Sequence, residues 1–328
     1  MNNLFPHLFI INRAKKLGFD ICGAVQPTYT MVGNLRVDSW IKAGYNGTME
    51  WFNRNRELRY NPSLLLEENR GKTLILCGIS YQLRDKNSIK CTIPFSAENC
   101  GEKLTPLVAS YSYFNDYHFT LKTLLCELYN SIAARLGRDV EHRIFVDSAP
   151  LLERHWAVEA GFGWIGRNGL VVNRQFGSYF FIGSLLLDLE LDSYSKADNF
   201  NGCGNCRRCV EGCKSGAILD NGVVDSNRCL SYITIEHKLP FTDRQREIIR
   251  LWNSTIFGCD ACQSVCPWNI KAMKAITPEI EQKRCEILKF CTPPVREQGI
   301  EGYQIPKLSP LKRAGRKRLN EILSGLSV

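Results

Sequence analysis

The chain lacks any apolar stretch long enough to cross a bilayer. Its longest, Tyr179 to Leu187, falls well short of the ~20 residues that a membrane helix needs. The segment Met1 to Lys16 also lacks the charged, apolar and small-residue order of an export signal: Pro6 and His7 interrupt it, and Arg13, Lys15 and Lys16 follow its apolar part. A cytoplasmic protein is therefore expected. The glycine fingerprint of a dinucleotide fold is missing as well. Gly161-Phe162-Gly163 with Gly166 meets that spacing in part, but it follows a helical pattern where a strand is required. Apart from two cysteine runs there is no internal repeat. These absences argue against a membrane transporter, a secreted disulfide scaffold and a Rossmann dehydrogenase.

What is present is an ordinary globular composition, 328 residues at 44% hydrophobic, enough for one large domain or two smaller ones. The formal charge of +9 favours an anionic partner, of which nucleic acid is the commonest for a cytoplasmic protein. The first two-thirds alternates helical and strand patterns, an α/β arrangement. A helix is expected over Leu8 to Leu17, and strands over Ile21 to Val25 and Thr73 to Ser80. From Tyr117 to Leu136, residues Leu121, Leu124, Leu125, Leu128 and Ile132 share one helical face, and Gly137 supplies the stop. A strand Arg143 to Val146 then runs into Asp147-Ser148-Ala149-Pro150, which opens a helix Leu151 to Ala160. Asp147 at that strand end reads either as a ligand-facing residue or, with Ser148, as an ordinary helix cap. The glycines around Trp164 and Arg167-Asn168 read either as a tight turn packing the Trp or as a ligand loop. Strands are expected at Leu170 to Val172 and Tyr179 to Leu187, with a hairpin turn at Gly177-Ser178.

After Asp192 the composition becomes polar and rich in cysteine. The first run is Cys203-x2-Cys206-x2-Cys209-x3-Cys213; the second is Cys229, then Cys259-x2-Cys262-x3-Cys266-Pro267. Structural zinc uses C-x2-C pairs but rarely this longer run, and seldom places Pro after the last ligand. Two four-iron clusters account for it better, three close cysteines wrapping one cluster while the fourth reaches the other. Cys203, Cys206, Cys209 and Cys266 are expected on one cluster, and Cys213, Cys229, Cys259 and Cys262 on the second. Lys214 stands where a proline usually follows, and Cys229 lies well upstream of Cys259; neither change removes a ligand. Cys22, Cys77, Cys91, Cys100, Cys126, Cys285 and Cys291 lack metal spacing and read as small hydrophobes. Domain limits follow at 1–192, 193–276 and a basic tail 277–328.

Val146-Asp147-Ser148-Ala149-Pro150-Leu151-Leu152-Glu153-Arg154, then Ala160 to Asn168, Phe176-Gly177-Ser178, Asp116-Tyr117-His118 and Ser309 to Lys317 resemble epoxyqueuosine reductase. With the cysteine runs, these blocks cover nearly the whole chain. The resemblance implies a cobalamin-dependent enzyme, distantly similar to reductive dehalogenases, with a nitroreductase-like α/β (α+β) corrinoid domain followed by a ferredoxin-like one. It implies reduction of the epoxide of epoxyqueuosine at the tRNA wobble position to queuosine, with electrons from an external donor, and a monomer. Asp147 matches the family's proton donor, which would need a raised pKa. The D-x-H-x-x-G pattern of a lower histidine ligand is absent, Leu121 occupying the glycine position, so a base-off cobalamin is implied and His118 is left as a helix-start histidine or a substrate contact. Implied corrin contacts are Arg54, Arg59, Ser110, Asp147, Val171, Ile182 and Ser231. The same positions suit, respectively, a solvated basic stretch, a turn, the cap, two core strands and a second turn. Lys312, Arg313, Arg316, Lys317 and Arg318 suit tRNA phosphates. Longer family members carry a C-terminal helical-repeat extension that the chain, ending at Val328, is expected to lack. Two rivals stay open: a dehalogenase-like enzyme for a small organic halide, and an electron carrier that binds no cobalamin.

Overall fold

The computed structural model describes residues 4–84, 108–252, 255–291 and 304–326. Cys91 and Cys100 lie outside them. A four-stranded sheet runs in the order β1 (Ile21–Val25), β2 (Thr73–Ser80), β6 (Phe180–Leu187), β3 (His142–Phe145). Every pairing is antiparallel. The expected alternation of helix and strand thus gives an α+β sheet, because the connections return each strand against its neighbour rather than beside it. β2 is buried at all eight positions. Its residues alternate sides as the strand period of two requires: Ile75, Cys77 and Ile79 join one apolar cluster, Leu74 and Leu76 another.

The helix Tyr117–Leu136 covers the first face and is capped by the Asp116 carboxylate, which accepts from the His118 N–H at 3.0 Å. Leu121, Leu125, Leu128 and Ile132 are buried along it, Leu124 partly so, and Gly137 ends it at φ 71°. The helix Glu153–Glu159 covers the other face, with Trp156 and Ala157 packed among Leu74, Leu76, Phe145 and Leu186. The larger apolar cluster also takes in Ile233, Ile249, Leu311 and Ile322. The cysteine-rich segment and the terminal helix Gly315–Leu326 therefore share the core of the sheet layer. No helix among the described residues is long and apolar enough to cross a membrane.

The hairpin expected at Gly177-Ser178 does not form between the two strands. β5 (Val171–Val172) instead pairs with β4 (Trp164–Ile165) in a separate two-stranded sheet, and β6 joins the main sheet between β2 and β3. The turn closes only the bridge from Asn173 to Gly177. The reason lies in the glycine-rich loop. Gly163 has φ 139°, and a Cβ there would stand 2.0 Å from the Val172 carbonyl oxygen, so only glycine lets β4 approach β5.

Candidate active site

The helix starts two residues later than the sequence pattern placed it. The helix begins at Glu153, with Leu152 at its N-cap and no side-chain capping bond. The cap reading of Asp147 and Ser148 is thereby corrected. Asp147 follows β3 in left-handed backbone, φ 51°, a conformation that Asp tolerates better than most residues. Its N–H donates to Glu153 Oε1 at 2.8 Å, and the Tyr117 hydroxyl donates to Asp147 Oδ2 at 2.9 Å. Tyr117 is held flat against Phe181, ring centroids 4.5 Å apart, and against His118 at 4.3 Å. Burial, reinforced by the Asp147 charge, pushes the Glu153 carboxyl up to about 8. Asp147 itself is exposed.

These groups line a cavity of about 360 Å³ with Arg154, Val171, Ile182, Ser231, Glu236 and Arg313. His118, at the start of its helix, lines it too, with Nδ1 2.6 Å from Asp116 Oδ1. A second cavity, about 1150 Å³, is walled by Trp40, Met49 and Phe52, by the loop Gly166 to Leu170, and by Cys203, Cys213, Cys229, Cys259 and Cys262. Tyr111, Arg154, Leu170 and Ser231 line both, so the cavities adjoin. The larger exceeds the ~300–1,000 Å³ usual for small-molecule sites.

The cysteines fall into two neighbourhoods. Burial pushes the Cys209 thiol up, and Cys203, Cys266 and Cys206 add to it. Burial likewise raises Cys262, with Cys259, Cys229 and Cys213 as its sulfur neighbours. None of the described cysteines is in a disulfide. Cys266 is the N-cap of the helix Pro267–Lys274, which explains the proline after it: Pro is preorganised for the first helical position. Cys229 caps the helix Leu230–Ile235 in the same way. Burial raises both thiols, and backbone N–H groups offset this, those of Asn269 and Trp268 at Cys266 and those of Tyr232 and Ser231 at Cys229. Such donors favour the thiolate that a metal requires. Side chains tie this segment to the sheet layer: Asn269 Oδ1 accepts from the Ser178 N–H at 2.6 Å, and Gln82 donates to the Asn269 carbonyl at 2.8 Å.

Residues 202–269 match the model of a 4Fe-4S double cluster binding domain, and residues 59–148 that of epoxyqueuosine reductase QueG, DUF1730. An epoxyqueuosine reductase of Cyclobacterium marinum is 36% identical over 271 residues, 82% of this chain and 81% of the relative. The chain belongs to the epoxyqueuosine reductase family. It is thus an oxidoreductase, and the pure-carrier rival falls with that assignment. The solved structure of epoxyqueuosine reductase from Streptococcus thermophilus, 25% identical, superposes with a TM-score of 0.74 over 97% of this chain and 80% of that one. A crystal structure of epoxyqueuosine reductase with an epoxyqueuosine-modified tRNA-Tyr stem loop, 23% identical, gives 0.76 over the same shares.

The expected corrin positions are not all on the cavity walls. Asp147, Val171, Ile182 and Ser231 are; Arg54, Arg59 and Ser110 are not. Arg54 is exposed. Arg59 is buried, donates to the Trp51 carbonyl at 3.0 Å and lies 4.9 Å over Phe52, so it backs the wall rather than forming it. Ser110 donates from its N–H to Asp260 Oδ2 at 2.8 Å and from its hydroxyl to the same oxygen, bracing the residue after Cys259. The basic cluster also divides. Arg313 pairs with Glu236 at 2.7 Å on the smaller cavity. Arg318 lies 3.4 Å over Phe241 and donates to the carbonyls of His237 and Leu239, a structural role. Lys312, Arg316 and Lys317 are exposed. Glu153, Tyr117 and Arg154 were singled out by no sequence expectation, although all three stand inside the quoted family blocks.

Proposed function

We propose that this reductase converts epoxyqueuosine at the tRNA wobble position to queuosine, the last step of queuosine biosynthesis, in the cytoplasm. The balance is two electrons and two protons in, an alkene and water out. One observation carries the reading: the cavity that holds the Asp147 carboxylate adjoins the one walled by Cys213, Cys229, Cys259 and Cys262. A proton source and a metal-ligand set thus face one connected space.

The donor set fits two 4Fe–4S clusters, the first on Cys203, Cys206, Cys209 and Cys266, the second on Cys213, Cys229, Cys259 and Cys262. The larger cavity has the room and the apolar walls for a corrinoid, with Ser231 as a contact, Arg59 and Ser110 backing its walls through Phe52 and Asp260, and Val171 and Ile182 lining the smaller cavity that adjoins it. Cobalamin bound there, base-off and without a histidine ligand, would supply a reducing metal centre for the epoxide. An antiparallel sheet between helix layers supports a nitroreductase-like corrinoid domain over residues 1–192. Asp147 holds the proton for the departing oxygen, Tyr117 orients its carboxylate, and Glu153 holds its backbone. Lys312, Arg316 and Lys317, exposed on the surface, contact tRNA phosphates, the stem-loop complex of the related reductase supports tRNA as the partner, and an external donor delivers the electrons to the monomer.

Anaerobic reconstitution with iron, sulfide and cobalamin, followed by nucleoside mass analysis of epoxyqueuosine-containing tRNA with a strong reductant, tests this. Queuosine formed only with cobalamin is expected. Equal conversion without cobalamin removes the corrinoid, and bound cofactors with no conversion remove the substrate.

A further inference from the structure

The indole N–H of Trp164 stands 3.4 Å from Cys203 Sγ. We propose that this hydrogen bond sets the reduction potential of the cluster that Cys203 ligates. The inference rests on the two-cluster reading above and adds a tuning residue to it.

Three features hold the ring in place. Trp164 lies in β4, fixed by pairing with Val172, and is 5% exposed. It packs edge-on against Trp268 at 5.1 Å and Phe200 at 5.2 Å. Gly202, next to the ligand, leaves the room: a Cβ there would fall 2.4 Å from Trp164 Cζ2 and 2.6 Å from Cη2. The neighbouring Trp268 makes the ordinary choice, donating to the Gly202 carbonyl at 3.0 Å. Trp164 donates to sulfur instead. Nor does burial in this fold oblige an indole to find an acceptor, since Trp156 and Trp252 bury theirs with none among the described residues.

An indole nitrogen can only donate, so the bond acts in one direction. Reducing a cluster adds negative charge that is shared by its thiolate sulfurs. A donor to one of them stabilises the reduced form more than the oxidised form, and the potential rises. Removing the donor while keeping an aromatic ring therefore lowers the potential of one cluster and leaves the other unmoved.

The test compares wild type with Trp164→Phe and Trp268→Phe, each reconstituted anaerobically and titrated electrochemically with the clusters followed by EPR. Expected are wild-type iron and sulfide contents in Trp164→Phe, one midpoint potential shifted to more negative values, and no comparable shift in Trp268→Phe. Both potentials unmoved in fully loaded Trp164→Phe would overturn the inference. Should that variant load poorly, wild-type protein carrying ¹⁵N-labelled tryptophan is used instead. Hyperfine coupling of an indole ¹⁵N to a reduced cluster, kept in Trp268→Phe, supports the bond; no coupling overturns it. Wild-type protein that takes up no cluster overturns the two-cluster reading and this inference together, a result distinct from loaded protein with unmoved potentials.

Discussion

The N–H of Asp147 donates to Glu153 Oε1 at 2.8 Å, so the first residue of a helix holds the left-handed turn that aims the Asp147 carboxylate into the cavity. Glu153 has an ordinary carboxyl value of 4.5, pushed up to about 8 by burial and then by the Asp147 charge. Between those two values the folded chain keeps a proton that the unfolded chain has lost. The stability that Glu153 contributes is therefore complete below the lower value and is lost as pH rises through the upper. Thermal unfolding of wild type against Glu153→Gln checks this. The Tm difference is expected to move against wild type from pH 5 to pH 9 (about one unit beyond the upper value); a difference independent of pH would show that Glu153 titrates normally.

Asp147→Asn is expected to retain iron, sulfide and cobalamin but to lose roughly 10²–10⁴-fold in turnover, the usual worth of a positioned acid. Single-turnover kinetics with cofactor analysis measures both. Full activity would remove Asp147 as the acid.

Tyr117→Phe keeps the stack on Phe181 and loses only the hydroxyl that donates to Asp147. A hydrogen bond contributes about 0.5–1.5 kcal/mol net. Turnover is expected to fall by roughly 2- to 10-fold with the unfolding temperature nearly unchanged. A loss confined to stability would make Tyr117 a packing residue alone.

In the basic cluster, Arg318→Ala is expected to destabilise the fold by about 1–3 kcal/mol through lost stacking and hydrogen bonds. Lys317→Ala is expected to leave stability alone and weaken tRNA binding, reducing the salt slope by about one. Unfolding curves and binding at two salt concentrations separate the two roles; the reverse pattern would exchange them.

Local signals carried much of the fold. β1, β2 and the helix Tyr117–Leu136 lie where apolar pattern and the Gly137 stop put them, because each is decided by neighbours in sequence. The antiparallel order of the sheet was not legible. β6 pairs with β2 across 100 residues or more, and no local period records which strand returns beside which. The same limit explains the missing hairpin, since the choice between β4 and β6 as a partner for β5 depends on the close approach at Gly163.

The site divides in the same way. Cysteine spacing led to both thiol neighbourhoods, since a cluster demands sulfur at short intervals. The stacking of Arg59 on Phe52 and of Arg318 on Phe241 left no trace in the sequence, where Arg59 reads as a corrin contact or a solvated basic residue and Arg318 as a phosphate contact, because only the fold brings those rings beneath them. Glu153 left no signal beyond its place after Pro150, because its role depends on the backbone of a residue on another element.

The most direct measurement is nucleoside mass analysis of tRNA from a bacterial host that lacks its own epoxyqueuosine reductase and expresses this chain. Wild type supplied with cobalamin is expected to restore queuosine, whereas Asp147→Asn, or wild type without cobalamin, leaves epoxyqueuosine. Epoxyqueuosine persisting with cobalamin supplied and the clusters loaded would contradict the assignment of substrate.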